Sequence, residues 1–196
     1  MKETPKKLYT AYVGESQARN RYTFWAKIAK KEGYGLVNNI FLETADQEQQ
    51  HGSWFYKMLQ DFKKEEPFDE MKVLPDAMFP TTYGNTLENL KSAMAGEDME
   101  WQTLYPDIAE TAEKEGYPDI AKRVKAIIKA EKHHSERYGK LIKLVGDDAF
   151  FKRGNKIVWI CMECGYEVEM DSLPDNWKCP SCDHSRDYFR KKCEDF

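Results

Sequence analysis

The feature that most constrains this chain is a glutamate and a histidine placed three residues apart on the apolar face of a helix. In "AIIKAEKHHSERY", residues 126–138, Glu131 and His134 lie on the same helical stripe as Ile127 and Tyr138. Buried, unpaired carboxylates cost several kcal/mol each or take up protons. Such a pair therefore needs a compensating positive charge inside the fold.

This motif belongs to an internal repeat. "GES" at 14–16 corresponds to "GED" at 96–98, and "KKEGY" at 30–34 corresponds to "EKEGY" at 113–117. Glu97 lies 82 residues after Glu15, whereas Glu131 lies 83 residues after Glu48. Helical periodicity predicts helices at about 5–31, 36–64, 85–114 and 118–145, with tight turns at 32–35 and 115–119 and a proline-rich crossover at 65–84. The fold class is therefore mainly α, a four-helix bundle with pseudo-twofold symmetry.

Each predicted helix places at least one carboxylate on its apolar stripe. The set of candidate ligands comprises Glu15, Glu48, His51, Glu97, Glu100, Glu131 and His134. Oxygen and imidazole donors rich in carboxylate suit iron or manganese. Glutamates from two helices and Glu-x-x-His pairs from two others form the known dinuclear site of helix bundles. One Glu-x-x-His alone would be typical of a solvated face, but seven residues in phase, repeated in two halves, predict a dinuclear metal site.

Four other residues near these motifs have simpler interpretations. Tyr22 and Tyr105 fall near the level of the site, and they either pack the core or orient ligand carboxylates. His133 lies off the apolar stripe and is predicted to be exposed. His184 is predicted to lie on the surface of the C-terminal region.

The C-terminal region has a different composition. Residues 156–196 hold all five cysteines, and four of them form two C-x2-C pairs separated by fourteen residues: Cys161, Cys164, Cys179 and Cys182. This spacing predicts a four-thiolate site for zinc or iron. Cys193 lies outside the set and is interpreted as a free thiol. The predicted organisation is a bundle at 1–146, a linker at 147–155 and a small metal-bound domain at 156–196.

Charge and hydropathy exclude several classes of partner. The formal net charge is −4 and no basic face is visible, so neither nucleic acid nor an anionic membrane is expected as a partner. No apolar run is long enough to span a membrane, and the N-terminus lacks the apolar core of a signal peptide. Paired C-x2-C motifs favour metal binding in a reducing compartment, and we expect a cytoplasmic protein.

Both parts of the chain resemble one family, the rubrerythrins. "GESQARNRY" (14–22), "AGEDMEW" (95–101) and "AEKHHSERY" (130–138) are similar to the ferritin-like domain of that family. "CMECGY" and "LPDNWKCPSC" are similar to rubredoxin, which favours iron over zinc on the cysteines. The segment between the cysteine pairs is somewhat longer than is typical of the family, and Gln49 and Gln50 stand in the second-helix motif; neither departure removes a ligand.

The resemblance implies two non-haem irons, oxo- or carboxylate-bridged, and one Fe(Cys)4 centre per chain. It carries over Glu15, Glu48, Glu97, Glu100, Glu131 and His134 as iron ligands. His51 is similar to the histidine that replaces a glutamate, here Glu100, on one iron when the site is reduced. In the repeat Glu100 aligns with Ala18, so one half has an extra carboxylate.

The function that the resemblance implies is a peroxidase that reduces hydrogen peroxide to water in defence against oxidative stress. Electrons would come from NADH through a separate reductase, a rubredoxin or a flavoprotein, because the chain has no G-x-G-x-x-G motif. The alternatives are a ferroxidase that stores iron, and a non-enzymatic bundle with structural zinc and a partner-binding ribbon. A head-to-tail homodimer is expected, with each Fe(Cys)4 centre serving the partner's di-iron site.

Overall fold

A computed structural model describes residues 2–62 and 80–193. The first two helices are α1 (Glu3–Lys31) and α2 (Gly35–Phe62). The third predicted helix consists of α3 (Thr86–Met99), a π-helical segment (Glu100–Leu104) and α4 (Tyr105–Lys114), and it is followed by α5 (Pro118–Gly146). Residues 63 and 64 of the second predicted helix, and 65–79 of the predicted crossover, lie outside the described residues.

The two predicted turns have the same geometry because each has glycine where the backbone must adopt a left-handed conformation. Gly33 and Gly116 both have φ of 86°. The N–H of Tyr34 donates to the carbonyl of Ala29, and that of Tyr117 to Ala112, each at 2.8 Å. These bonds satisfy carbonyls at the end of the helix. The sequence repeat is therefore also a repeat of backbone conformation.

The third helix begins at a capping box, which fixes the end of the connection from α2. The Asn85 side chain accepts from the N–H of Glu88 at 3.0 Å, and the Glu88 carboxylate accepts from the N–H of Asn85 at 2.9 Å. Two otherwise unpaired backbone donors are satisfied in this way. The start agrees with the prediction of a helix from about residue 85.

The helices pack as two antiparallel hairpins, α1 with α2 and α3–α4 with α5. Their apolar stripes form two layers, one rich in aromatics around Tyr22 and Phe41 and one around Phe55 and Ile108. The predicted carboxylates and histidines occupy the level between these layers. The predicted mainly α, ferritin-like four-helix architecture is confirmed. None of the described helices has a stretch long and apolar enough to cross a membrane.

The C-terminal lobe is a three-stranded antiparallel sheet in the order β2-β1-β3, with β1 at Lys152–Cys161, β2 at Glu167–Ser172 and β3 at Phe189–Lys191. A short 3-10 helix spans Arg186–Tyr188. β1 begins at Lys152, so the last four residues of the predicted linker at 147–155 have strand conformation. Pairing with Ser172 of β2 holds Lys152 in the sheet.

The lobe rests against the α1–α2 turn of its own bundle. The ring of Tyr34 contacts Phe150 and Phe151 at centroid distances of 5.1 and 6.5 Å. A Cβ on Gly35 would overlap the carbonyl oxygen of Asp187, so glycine is required there by close backbone approach. The equivalent residue in the second half is Pro118, where no lobe is present. This site of contact lies far along the bundle from the carboxylate level.

Candidate metal centres

Glu48 on α2 and Glu131 on α5 face each other, and the carboxylate of each lies close to both His51 and His134. Nδ1 of His51 lies 3.0 Å from Oε2 of Glu48 and 2.8 Å from Oε1 of Glu131. Nδ1 of His134 lies 3.3 Å from Oε1 of Glu48 and 2.9 Å from Oε2 of Glu131. One oxygen of each glutamate thus faces each histidine, which is the arrangement required of a carboxylate that bridges two metal ions.

Two more glutamates complete the separate halves of the site. Glu15 lies 3.8 Å from Nδ1 of His51, and Glu97 lies 3.3 Å from Nδ1 of His134. The result is two four-residue donor sets whose ligand atoms lie within 4.8 Å of one another: Glu15, Glu48, His51 and Glu131; and Glu48, Glu97, Glu131 and His134. Six of the seven predicted residues are brought together in these sets, and their individual roles as ligands are proposed below.

The chemistry of this donor set fits two metal cations. Oxygens of Glu15, Glu48 and Glu131 are fully buried and have no hydrogen-bond partner, although imidazole nitrogens lie close to some of them. A buried carboxylate oxygen without a partner carries a large desolvation penalty. A pair of divalent or trivalent ions would satisfy these oxygens, and carboxylate with imidazole is a donor set that suits iron.

The pKa values of these groups show how strongly burial and neighbouring charges act on one another at this site. Burial, and then the charges of Glu48 and Glu131, raise the pKa of Glu15 well above 4.5. Burial disfavours the imidazolium of His51, but the carboxylates of Glu131 and Glu48 beside its Nδ1 prevail and raise its pKa to about 10. The same balance raises the pKa of His134 to about 12. The buried carboxylates therefore require positive charge beside them, from protons or from metal ions.

Tyrosines on two helices reach carboxylates of the opposite half of the repeat. The hydroxyl of Tyr105 donates to Oε1 of Glu15 at 2.5 Å, and the hydroxyl of Tyr22 donates to Oε1 of Glu97. All four side chains are buried. Tyr22 and Tyr105 are themselves equivalent positions of the repeat, so the two contacts are related by the pseudo-twofold symmetry.

Glu100 is buried but lies outside both donor sets, at the first position of the π-helical segment. The N–H of Tyr105 donates to the carbonyl of Glu100, five residues earlier, which is the hydrogen bond of a π-helix. Burial, and then the charge of Glu97, raise the pKa of Glu100 well above 4.5. His51 thus belongs to one of the donor sets, whereas Glu100 is buried but belongs to neither.

The sequence predicted one uninterrupted helix at about 85–114 and did not reveal the π-helical segment, which changes the residues that face the core after Glu100. Leu104 is only half-buried, and Tyr105 takes its place in the core. A signal was present, because Tyr22 follows Glu15 by seven positions while Tyr105 follows Glu97 by eight. One inserted residue between these landmarks is the usual origin of a π-bulge.

Outside the donor sets, Gln47 was not singled out from the sequence, yet its side-chain oxygen lies 2.9 Å from Nε2 of His134. His133 is exposed, as predicted. His184 is not the surface residue predicted: it is half-buried, its Nδ1 lies 3.3 Å from Sγ of Cys182, and its ring packs on Tyr188.

The four paired cysteines converge in the C-terminal lobe. Their sulfurs lie within 4.8 Å of one another, with Cys161 and Cys182 at 3.8 Å and Cys164 and Cys179 at 3.5 Å. A tetrahedral site with metal–sulfur bonds of about 2.3 Å has sulfur–sulfur edges of about 3.8 Å. Cys193 is exposed and lies outside this group. The sulfur positions therefore fit a single tetrahedral ion.

Two matching turns shape this cysteine site. Gly165 and Asp183, each directly after a C-x2-C pair, have φ of 77° and 59°. Their N–H groups donate to the carbonyls of Cys161 and Cys179 at 2.9 Å. Backbone donors also reach sulfur, and the N–H of Tyr166 is the main reason that the pKa of Cys164 falls to about 6. At Cys164 the turn thus favours the thiolate form that a metal requires.

Comparison with known proteins agrees with both centres. The rubrerythrin family model matches residues 6–142, and the model of the rubredoxin-like domain of rubrerythrin matches residues 159–190. A putative rubrerythrin from Methanocaldococcus jannaschii is 47% identical, covering 100% of this chain and 96% of the relative. A rubrerythrin from Porphyromonas gingivalis is 43% identical over 95% of this chain and 88% of the relative.

Solved structures of related proteins also resemble this chain. Nigerythrin in its fully reduced, all-ferrous state superimposes with a TM-score of 0.62 at 28% identity, covering 96% of this chain and 86% of that one. The fold and the two donor sets define a ferritin-like dinuclear carboxylate protein with an attached rubredoxin-like lobe. The chain belongs to the rubrerythrin family, a family of oxidoreductases involved in oxidative stress defence. It carries the di-iron carboxylate site of that family and a four-cysteine site consistent with Fe(Cys)4.

Proposed function

We propose that this chain is a peroxidase that reduces hydrogen peroxide to water at the bundle site, with electrons delivered through its Fe(Cys)4 centre. The observation that carries the proposal is the pair of donor sets sharing Glu48 and Glu131, in one chain with a four-thiolate site. When bound, two irons supply a two-electron reductant and Lewis acids for the peroxide. An electron-transfer centre in the same chain favours repeated turnover over iron storage.

In this proposal each residue has a distinct role. Glu48 and Glu131, which belong to both donor sets, would hold both irons, while Glu15 and Glu97 would each hold the iron of one half. His51 and His134 supply one nitrogen to each half through Nδ1. Tyr105 and Tyr22 donate hydrogen bonds to the carboxylates that each hold one iron and fix their orientation, as outer-shell partners do in other metal sites.

Glu100 is proposed as the alternative ligand to His51. Its position at the start of the π-helical segment, where the regular helical hydrogen bonding is interrupted, gives the side chain a local backbone unlike that of Ala18 in the other half. The side chain of His51 is 13% exposed to solvent, whereas that of His134 is 2% exposed. The half that holds His51 is therefore the half at which a ligand can be exchanged and substrate admitted.

Electron transfer is proposed to run between subunits of a head-to-tail homodimer. In α2, Gly35 contacts the lobe and Glu48 belongs to the site, and thirteen residues of helix separate them by about 20 Å. The lobe therefore docks far from the di-iron site of its own chain. A partner's lobe would shorten this path. We further propose a cytoplasmic location and a separate NADH-dependent reductase, a rubredoxin or a flavoprotein, as donor.

Steady-state kinetics test the peroxidase function. Iron-loaded protein with an NADH-dependent rubredoxin reductase system and hydrogen peroxide should oxidise NADH over many turnovers, one NADH per peroxide. Glu131→Ala should remove this activity. Oxidation of ferrous iron in stoichiometric amounts into a mineral, without NADH turnover, would instead identify a ferroxidase.

Mixing two inactive variants tests the path between subunits. One variant carries Cys161→Ser and Cys164→Ser, and the other carries Glu48→Ala and Glu131→Ala. A mixed dimer joins one intact donor to one intact peroxide site and should regain activity if transfer crosses the interface. An inactive mixed dimer, with subunit exchange verified by mass spectrometry, would place transfer within one chain.

A further inference from the structure

We propose that Gln47 is a positioning residue that fixes the ring of His134, and that the absence of its counterpart leaves the ring of His51 free to move. The inference rests on the proposed function only in taking both histidines as metal ligands. Oε1 of Gln47 lies 2.9 Å from Nε2 of His134, on the side of the ring away from the carboxylates.

The orientation of the Gln47 amide is set by a neighbouring charge. Glu43, one turn earlier in α2, has only acceptor oxygens, and its Oε1 lies 3.4 Å from Nε2 of Gln47. Arg137 in turn holds Glu43 through Nη1 at 2.7 Å. Because the amide nitrogen faces Glu43, the amide oxygen faces His134 and must accept from an N–H there. We call Arg137, Glu43 and Gln47 the relay.

The relay selects one tautomer of the metal-binding histidine. When Nε2 of His134 carries the proton, the lone pair of Nδ1 is available on the side of Glu48, Glu97 and Glu131. The hydrogen bond on one ring nitrogen thus determines which nitrogen binds metal. Rotation of the His134 ring out of the site would break this bond and leave the half-buried Gln47 oxygen without its donor.

The internal repeat lacks this relay on the other side. Glu48 and His51 correspond to Glu131 and His134, so the same spacing places Ala130 where the first half has Gln47. Ala126 and Trp54 likewise occupy the positions that correspond to Glu43 and Arg137. Among the described residues, Nε2 of His51 has no hydrogen-bond partner. Two histidines with matching inner contacts thus differ in what holds their outer nitrogens.

Zinc binding and NMR test the relay without any redox chemistry. The full chain, with its four-cysteine site already filled, is titrated with zinc against a chromophoric chelator, and long-range proton–nitrogen spectra report the histidine rings. In the wild-type protein the Nε2 proton of His134 should be protected from exchange with water, and that of His51 should exchange rapidly. Gln47→Met keeps the shape but removes the acceptor, and it should lower zinc affinity at the His134 half about tenfold.

Two further variants separate positioning from general damage. Gln47→Glu keeps an acceptor oxygen and should retain the protected Nε2 proton of His134, while Gln50→Met, an exposed change on the same helix, should alter nothing. Unchanged affinity and unchanged proton protection in Gln47→Met would overturn the relay, as would an equal loss at both halves or a protected His51 proton in the wild type. A chain that shows the predicted protection but turns over no peroxide would refute the peroxidase function alone.

Discussion

Tyr105 donates a hydrogen bond to Glu15 across the bundle, 2.5 Å from hydroxyl to carboxylate, and so ties the second half of the repeat to the first. Both side chains are fully buried. In the equivalent contact, Tyr22 of the first half donates to Glu97 of the second half. Glu15 and Glu97 are therefore each oriented by a tyrosine from the half of the chain to which they do not belong.

Removing this hydroxyl should destabilise the iron-loaded protein. Tyr105→Phe leaves a buried oxygen of Glu15 without its donor, which costs about 1–3 kcal/mol of unfolding free energy. Denaturant unfolding of the iron-loaded variant measures the loss. Tyr56→Phe, which alters an exposed ring, is the control and should stay within about 0.5 kcal/mol of wild type. Equal stability of both variants would mean that the hydroxyl contributes nothing.

The metal-free protein should become less stable as pH rises. Glu15, Glu97 and Glu100 have folded-state pKa values raised above 4.5, chiefly by burial, so the folded chain retains protons that the unfolded chain has released. His51, with its pKa raised from 6.5 to about 10, acts in the same direction. Because the folded state binds more protons, the free energy of unfolding falls with pH above about 4.5.

Melting temperatures of metal-free and iron-loaded protein between about pH 5 and pH 9 check this dependence. The metal-free protein should melt earlier throughout, and the difference should widen with pH because iron replaces the protons. A metal-free melting temperature that equals that of the iron-loaded protein, or rises with pH, would mean that these glutamates are not buried ligands.

Gly35→Ala should displace the lobe from the bundle. The added Cβ would overlap the backbone carbonyl of Asp187, which cannot move as a flexible side chain would. Overpacking of this kind costs about 1–3 kcal/mol. Amide hydrogen exchange of the contact residues Tyr34, Phe150 and Phe151 should rise.

Gly14→Ala is the matched control for this change, since no atom beyond the local backbone of its own helix lies within 4 Å of the Cβ position. It sits in the interior of α1, where alanine should add up to about 1 kcal/mol of stability. Unchanged exchange at the lobe contact in Gly35→Ala would show that the docking seen here does not persist in solution.

Glu131→Ala should remove both bundle irons, because both donor sets share this residue. Glu97 belongs to one donor set alone, so Glu97→Ala should weaken the binding of one iron more than that of the other. In both variants the visible spectrum of the Fe(Cys)4 centre should persist, since the cysteines lie in a separate lobe. Retention of two bundle irons in Glu131→Ala would contradict its bridging position.

The sequence predicted the helices and the cysteine site well because both depend on local spacing. Apolar periodicity placed Glu48, His51, Glu131 and His134 on inner faces, and the internal repeat supplied the symmetry that brings them together. C-x2-C spacing needed only the local turns at Gly165 and Asp183. The family resemblance, the fold and the cofactors are confirmed, while individual ligand roles stay proposals.

What the sequence did not predict depends on contacts between elements. The Gln47–His134 hydrogen bond joins α2 to α5, and no local pattern distinguishes Gln47 from the exposed Gln49 and Gln50. The half-buried position of His184 depends on how the ring packs on Tyr188. Strand β1 extends into the predicted linker because its pairing partner lies twenty residues further along.

The iron content of the purified chain, measured together with its visible spectrum, tests the central claim most directly. Two carboxylate-bridged irons in the bundle and one on sulfur predict about three irons per chain and a thiolate-to-iron absorption band. Glu131→Ala should reduce the content to about one iron while that band remains. A colourless protein with one zinc per chain, and no uptake of ferrous iron by the bundle, would contradict the account.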